Sequence, residues 1–578
     1  MCNNCDLVSE MVCRRETSAV RPAREANTDA GIETTTVFRG GAVYTCDPQR
    51  PWAQAIAVRG RSIISVGSED DVLAAAGPVT EVVELQGRML LPGFVEAHIH
   101  PLVGGFLTAG VDLQVSTKAE ALAAIADHAR SEPTGPIRGF GWRMDMFGPG
   151  GPRREDLDAI LPDRAALLFA IDAHSLWLNS AALRIAGISV GTPDPVPGFS
   201  FFERDATGEP TGFISELPAM LPVIDSIAPM TEDVLGQLLS DWLPKAAAAG
   251  ITAVFDAGMP PLGDDPTALA GIYTDLEAAG RLPFRVVTSH LVKSPPIGNA
   301  VAQARQLRDR LGTELVRGGV LKIFGDGTIE GHTAHLLAPY SDRPDSVGLS
   351  PFTEAQWRQL VAEADAAGID CHIHAIGDRA VRSALDAIEA AIAVNPEWDR
   401  RHAVAHLQLV DDADAPRFGE LGVIAQFTGN WMSVYPADGV LIERCGTQRE
   451  SQMYRPRAVL DGGGVVAFGT DWPAAAHTST YRPLDAIEIA VTRQRVGESG
   501  APVREPRGQR LELTQALHAA TLGAARQLRL EHLVGSLEPG KRADLVVLSH
   551  NLFEVAPHRL ASTTVDLTMM NGRITYAG

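Results

Sequence analysis

Residues 90–101 read LLPGFVEAHIHP, an apolar, turn-bounded run that ends in two histidines, His98 and His100, and then a proline. Side chains alternate along a strand, so the two imidazoles share one face while Ile99 turns to the other. Two imidazoles facing the same way at a strand end can share a metal ion. An HxH pair also arises by chance in ordinary strands, so its meaning depends on what the other strands deliver.

Working outward, seven further apolar runs of strand length follow. They are ITAVFDAG (251–258), FRVVTSHL (284–291), GVLKIFGDG (319–327), IDCHIHAIG (369–377), HAVAHLQLV (402–410), GVIAQFTGN (422–430) and GVVAFGTDW (464–472). Amphipathic stretches lie between them, among them 231–250, 300–312, 353–368 and 378–394. Continuous apolar strands alternating with amphipathic helices predict a parallel sheet covered by helices. Eight such units predict an α/β fold, a closed (β/α)8 barrel of the TIM type, with its active site at the carboxyl ends of the strands. The 102–230 interval after the first run is far too long for a loop and predicts an inserted subdomain. Within it, DAHSLWLNSAALRIAGI (172–188) reads as a strand or turn entering a helix capped near Asn179 or Ser180.

Both chain ends differ from this middle. Short β-branched runs broken by Gly, Arg and Asp fill 34–72, and GSLEPGKRADLVVL (535–548) and TTVDLTMMNGRITYAG (563–578) repeat the pattern, with an Asn-Gly hairpin signal. The division expected is a flexible tail over 1–34, a small β-sandwich domain from 35–92 with 532–578, and the barrel over 93–531 with its insertion.

Ionisable residues gather at the strand ends. The first run ends with His98 and His100, the fourth holds Lys322, the fifth His374, the sixth His406 and the eighth Asp471. Taken singly, each has an ordinary reading as a hydrogen-bonded or paired core residue. Together those readings require several coincidences at one end of one sheet. The ligand types fit zinc, with iron, manganese and nickel as alternatives. An ammonium cannot ligate a cation, so Lys322 contributes only if neutral or converted by carbon dioxide to a carbamate.

Lys and Arg number 50 against 71 Asp and Glu, a net charge of −21, which argues against nucleic-acid or anionic-membrane partners. No run reaches the length of a membrane span, and the first residues lack a secretory pattern, which points to the cytoplasm. Cys2, Cys5 and Cys13 form a CxxC-plus-one cluster with no fourth ligand nearby, and read as free thiols in a tail.

LLPGFVEAHIHP, KIFGDGTIEGHTAHLLAPYSD, HAIGDRAV, AHLQ, GTDWP and GSLEPGKRADLVVL together resemble the metal-dependent amidohydrolase superfamily, closest to its family 3 group, which includes N-substituted formamide deformylases. The resemblance covers about residues 35–578. It implies that His98 and His100 bind one metal, that Lys322 as a carbamate bridges to a second held by His374 and His406, and that Asp471 contacts the first metal and serves as acid–base residue. It places His174, within the 172–188 stretch, at the substrate pocket. Glu96 stands where relatives often carry Asp, and His372 competes with His374 as a ligand. The expected reaction is hydrolysis of a non-peptide amide, an N-substituted formamide or N-acyl amine, by metal-activated hydroxide. Hydrolysis of a lactone, cyclic amide or amino-heterocycle, or a catalytically silent regulatory relative, stands as the alternative. His174 or His290 is a candidate to polarise the carbonyl. Glu330, His332 and His335, in the segment past Lys322, and Trp472, beside Asp471, are candidates to line the mouth. Arg449 reads as structural. The partner expected is a small-molecule substrate, and the resemblance suggests a homodimer.

Overall fold

A computed structural model of the chain describes residues 34–148, 150–259, 265, 267–435, 438–474 and 479–578. The Cys2, Cys5 and Cys13 cluster lies outside the described residues.

The eight apolar runs form eight parallel strands: β1 (Phe94–Ile99), β2 (Ile251–Met259), β3 (Arg285–Val292), β4 (Val316–Phe324), β5 (Asp370–Ala375), β6 (Ala403–His406), β7 (Ile424–Thr428) and β8 (Val465–Gly469). Each pairs with its neighbour in chain order. The barrel is nearly closed where β8 returns to β1. Just past the β8 ladder, the Asp471 N–H donates to the His98 carbonyl (2.8 Å) and the His100 N–H to the Trp472 carbonyl (3.0 Å). This seam needs a glycine: a Cβ at Gly469 would lie 2.3 Å from the His98 nitrogen. The Glu96 carboxylate ties the same seam by accepting from the Thr470 N–H (2.7 Å) and hydroxyl (2.9 Å).

The strands read as unbroken apolar runs because both their faces are buried, one in the barrel and one under the helices. Val95, Ala253, Phe255, Val287, Ala403 and Ile424 pack together with the helix Leu522–Gln527. Between strands, Thr353 forms a capping box with Gln356 to start the helix Glu354–Ala366, and Thr231 caps Glu232–Ala248.

The insertion carries its own six-stranded sheet, from Val111–Asp112 to Pro210–Ser215. In it the strand Ser175–Leu178 leads into the helix Ser180–Ile185, whose N-cap is Asn179; the Asn179 side chain accepts from Ala182 N–H (2.9 Å) and Ala166 N–H (3.0 Å). The chain ends meet in one eight-stranded sheet. Thr35–Tyr44 pairs antiparallel with Trp52–Arg59 and, through its two halves, parallel with Thr80–Glu84 and Met89–Pro92. Leu545–Leu548 joins from the far end of the chain, beside Met89–Pro92. Phe38, Ile56, Leu90, Leu545, Val547 and Met569 share the core of this layer. Asn571 and Gly572, both at positive φ (53° and 77°), make the turn between the last two strands.

Candidate metal centre

Parallel strands leave their carboxyl ends, and the loops after them, facing one mouth. There His98, His100, Lys322, His374, His406 and Asp471 line a single cavity of about 110 Å³. One Asp471 oxygen lies 3.2 Å from His100 Nε2 and 3.4 Å from His98 Nε2, and the other is 3.7 Å from His406 Nδ1. One ligand atom from each of His98, His100 and Asp471 falls within 4.8 Å of the others. The His406 ring is 4.6 Å from that of His98 and 4.4 Å from that of His374. Lys322 Nζ approaches His98 Nε2 to 3.3 Å.

This donor set fits a divalent cation. Burial holds His98, His374 and His406 well below the usual imidazole range, with Lys322 and neighbouring imidazoles adding to the effect, so each ring is neutral and has a lone pair to give. The buried Nε2 of His374 has no hydrogen-bond partner among the described residues. The edge of the His98 ring away from the cluster is occupied, Nδ1 meeting Gln426 Oε1 (3.1 Å) and His372 Nε2 (2.9 Å), while His406 Nδ1, the nitrogen nearest Asp471, also meets the Thr428 hydroxyl (3.1 Å). Such contacts fix which nitrogen faces a metal. Burial also takes the Lys322 amine down to about 7, against the opposing pull of Asp471.

His372, weighed as a rival to His374, sits behind His98 and is absent from the cavity wall. His174 comes from the insertion and does reach the cavity. Its ring stacks on Phe324 at 5.3 Å and lies 5.4 Å from His374, and Nδ1 meets Glu216 Oε2 at 2.9 Å. Burial alone would lower its pKa, but the Glu216 charge and hydrogen bond lift it to about 9. On the far side of His174 and His374 a second chamber of about 90 Å³ opens, and Glu330 is in its wall with Asp172.

Four expected site residues are placed elsewhere. His290 turns away from the cavity and bonds Gln303 of the helix Ala300–Arg310, while its neighbour Leu291 takes the cavity face. His332 is buried in its loop, with Nε2 2.8 Å from an Asp342 oxygen. Trp472 packs face to face with Trp242 (5.1 Å, 11°) and against Gly104, so it belongs to the core beside the insertion. His335 is absent from both chamber walls, and Arg449 donates to the carbonyls of Cys445, Ala338 and Pro339, which is a structural role.

Sequence reasoning passed over three groups beside the cluster. Gln426 was visible as the lone amide in an apolar strand. Asp326, two residues past the end of β4, is fully buried, accepts the N–H groups of His335, Ile376 and Gly377 (all 2.9 Å), and stands 3.7 Å from His374 Nε2. Burial pushes its carboxyl up to about 7. Glu216 left no local signal at all.

The amidohydrolase family model matches residues 81–576. The chain is 30% identical over 545 residues to the putative amidohydrolase YtcJ of Bacillus subtilis (strain 168), covering 93% of this chain and 99% of that one. It is 29% identical over 550 residues to the N-substituted formamide deformylase of Arthrobacter pascens, covering 92% and 97%. Among solved structures, an uncharacterized metal-dependent hydrolase from Pyrococcus furiosus matches with a TM-score of 0.66 at 25% identity, covering 89% of this chain and 99% of that chain. With the barrel, the imidazole–carboxylate cluster and a family match over residues 81–576, the chain belongs to the amidohydrolase family.

Proposed function

We propose that the protein hydrolyses the C–N bond of a small non-peptide amide, an N-substituted formamide or N-acyl amine, at the mouth of the barrel. The observation that carries this reading is the convergence of His98, His100 and Asp471 within 4.8 Å, with Lys322, His374 and His406 on the same cavity wall. Similarity to a formamide deformylase supports the choice of bond. The wall opposite the polar cluster supports a substituted amide. Leu107, Leu217, Met220, Leu221, Ile224 and Met230, all from the insertion, make it apolar. At about 110 Å³ the space approaches the ~150 Å³ of an apolar cavity that holds benzene, so one ring or a short branched chain fits beside the reacting carbonyl.

His98, His100 and Asp471 would hold one divalent ion, zinc by donor type, and His374 and His406 a second, bridged by Lys322 as a carbamate. An ion so held supplies a Lewis acid and lowers the pKa of coordinated water toward about 7. Asp471 faces three imidazoles, and accepts the proton of the attacking water. It then gives that proton to the amide nitrogen as the C–N bond breaks, leaving an amine and a carboxylic acid. His174 lines the cavity, and with Nδ1 committed to Glu216 it is left Nε2 to donate to the carbonyl oxygen as charge builds there. Lys322 as an ammonium would set a buried positive charge 3.3 Å from the neutral His98 ring, where a cation would compete with it; addition of CO2 to the neutral amine, with loss of a proton, replaces it with two ligand oxygens.

The test joins elemental analysis of the purified protein to a screen of N-formyl and N-acyl amines. Stoichiometric divalent metal with amine release from at least one amide is expected. Metal-replete protein that opens lactones or deaminates heterocycles but leaves every amide intact overturns the reading.

A further inference from the structure

Glu216 stands at the N-terminus of the insertion's last helix, Leu217–Ile227, and is 1% exposed. Its backbone takes φ 67°, a left-handed conformation that an ordinary residue adopts only when its surroundings impose it. That conformation aims the carboxylate out of the insertion and into the barrel. One oxygen meets His174 Nδ1 at 2.9 Å, and the other accepts the Thr333 hydroxyl at 2.6 Å, from the loop after β4. The Glu216 N–H also donates to the His174 carbonyl (2.8 Å). Room for the carboxylate exists because residue 327 is glycine: a Cβ there would sit 1.9 Å from Glu216 Oε1. A buried carboxylate is thus shared between the insertion's histidine and the barrel loop that follows Lys322.

We infer that Glu216 is a positioning residue: it locks the ring of His174, and with it the insertion, against the barrel so that Nε2 faces the reacting carbonyl. Stacking on Phe324 sets the plane of the ring and the Glu216 bond sets its rotation, so two independent restraints leave one orientation. The logic is that of a carboxylate behind a catalytic imidazole, which orients the ring and balances the positive charge it carries while donating. Thr333 plays the third part by holding the carboxylate itself. The inference rests on the proposed hydrolysis for the role of His174, and on geometry alone for the clamp.

The experiment uses the full chain with its metal, and the variants Glu216→Gln, His174→Asn and the pair combined. On the amide cleaved best in the screen, E216Q is expected to keep metal content and thermal midpoint, to lower kcat about ten- to a hundredfold, and to leave KM nearly unchanged. If Glu216 acts through His174, the double variant is no slower than H174N. Losses that multiply, or E216Q turning over like the wild type, overturn the inference. A second readout does not depend on any substrate: in protein labelled with 15N-histidine, the imidazole proton that H174N deletes is expected far downfield and protected from exchange, and to move upfield in E216Q. Absence of that proton, or its indifference to E216Q, refutes the clamp even where hydrolysis is found. A shifted proton upholds it even where no amide is cleaved, in which case only the hydrolytic reading falls.

Discussion

Gly469→Ala tests whether the seam between β8 and β1 builds the metal centre. The added Cβ would stand 2.3 Å from the His98 nitrogen, 2.6 Å from its carbonyl oxygen and 2.8 Å from its Cα. Comfortable contact between such atoms is about 3.5 Å, so the seam must open by roughly 1 Å, against backbone that has no rotamer to yield. Overpacking of this kind costs about 1–3 kcal/mol. The two seam hydrogen bonds, Asp471 N–H to His98 and His100 N–H to Trp472, are worth about 0.5–1.5 kcal/mol each if they break. A loss of about 2–6 kcal/mol in stability follows, and Asp471 moves away from both histidines. Gly271→Ala is the control: it lies inside the helix Ala268–Ala278 with nothing within 4 Å of the new Cβ, and gains about 0.5–1 kcal/mol from helix propensity. Thermal midpoints and metal content after dialysis are measured on both. If G469A melts with the wild type and retains its full metal, the seam does not place the ligands and the reasoning fails.

Asp471→Asn is expected to abolish turnover with metal content nearly intact, read by rate and elemental analysis; loss of the metal would recast Asp471 as chiefly a ligand. Asp365→Ala strips a fully buried carboxylate that accepts from Asn395 (2.8 Å), Trp398 (2.9 Å), Arg400 (2.7 Å) and His402 (3.0 Å), and by leaving buried charge unpaired it should cost about 3–5 kcal/mol in denaturant unfolding; a change under 1 kcal/mol would contradict this. Burial holds His290 down at about 4 against 6.5 unfolded, so its contribution is complete above pH 6.5 and is lost as pH falls toward 4. His290→Asn should therefore flatten the acid limb of the stability curve over that window, by at most about 3 kcal/mol; an unchanged limb would show that His290 protonates freely in the fold. Chelation should lower the thermal midpoint and zinc restore it, since an ion at a hundred times its Kd contributes about 2.7 kcal/mol; a midpoint indifferent to chelator sinks tight metal binding.

Much of this was legible in the sequence because a parallel barrel writes its strands as apolar runs, and a histidine, lysine or aspartate at the end of such a run stands out. His98, His100, Lys322, His374, His406 and Asp471 were all found that way, and they line one cavity. The failures share a cause in local backbone geometry. His290 is a candidate by its place at the end of the third run, but the β3–β4 register shifts between Val287 and Ser289, and Leu291 takes the cavity face instead. Trp472, a candidate for the mouth beside Asp471, goes to the core because Asp471 has φ 57°, which turns the chain and sends the next side chain inward. His332, also at positive φ (58°), is drawn to Asp342 within its own loop. Glu216 was invisible because its partners, His174 and Thr333, lie 42 and 117 residues away, and no periodicity links them.

On the reading proposed above, five barrel strands and the loops they lead into gather one divalent metal centre. X-ray diffraction from crystals of protein purified without chelator, with anomalous data collected on both sides of the zinc edge, addresses it directly. The expected result is an anomalous peak within bonding distance of His98, His100 and Asp471, with or without a second peak beside His374 and His406. Crystals of well-folded protein with no peak among these residues, or with the only peak elsewhere on the molecule, would contradict the account.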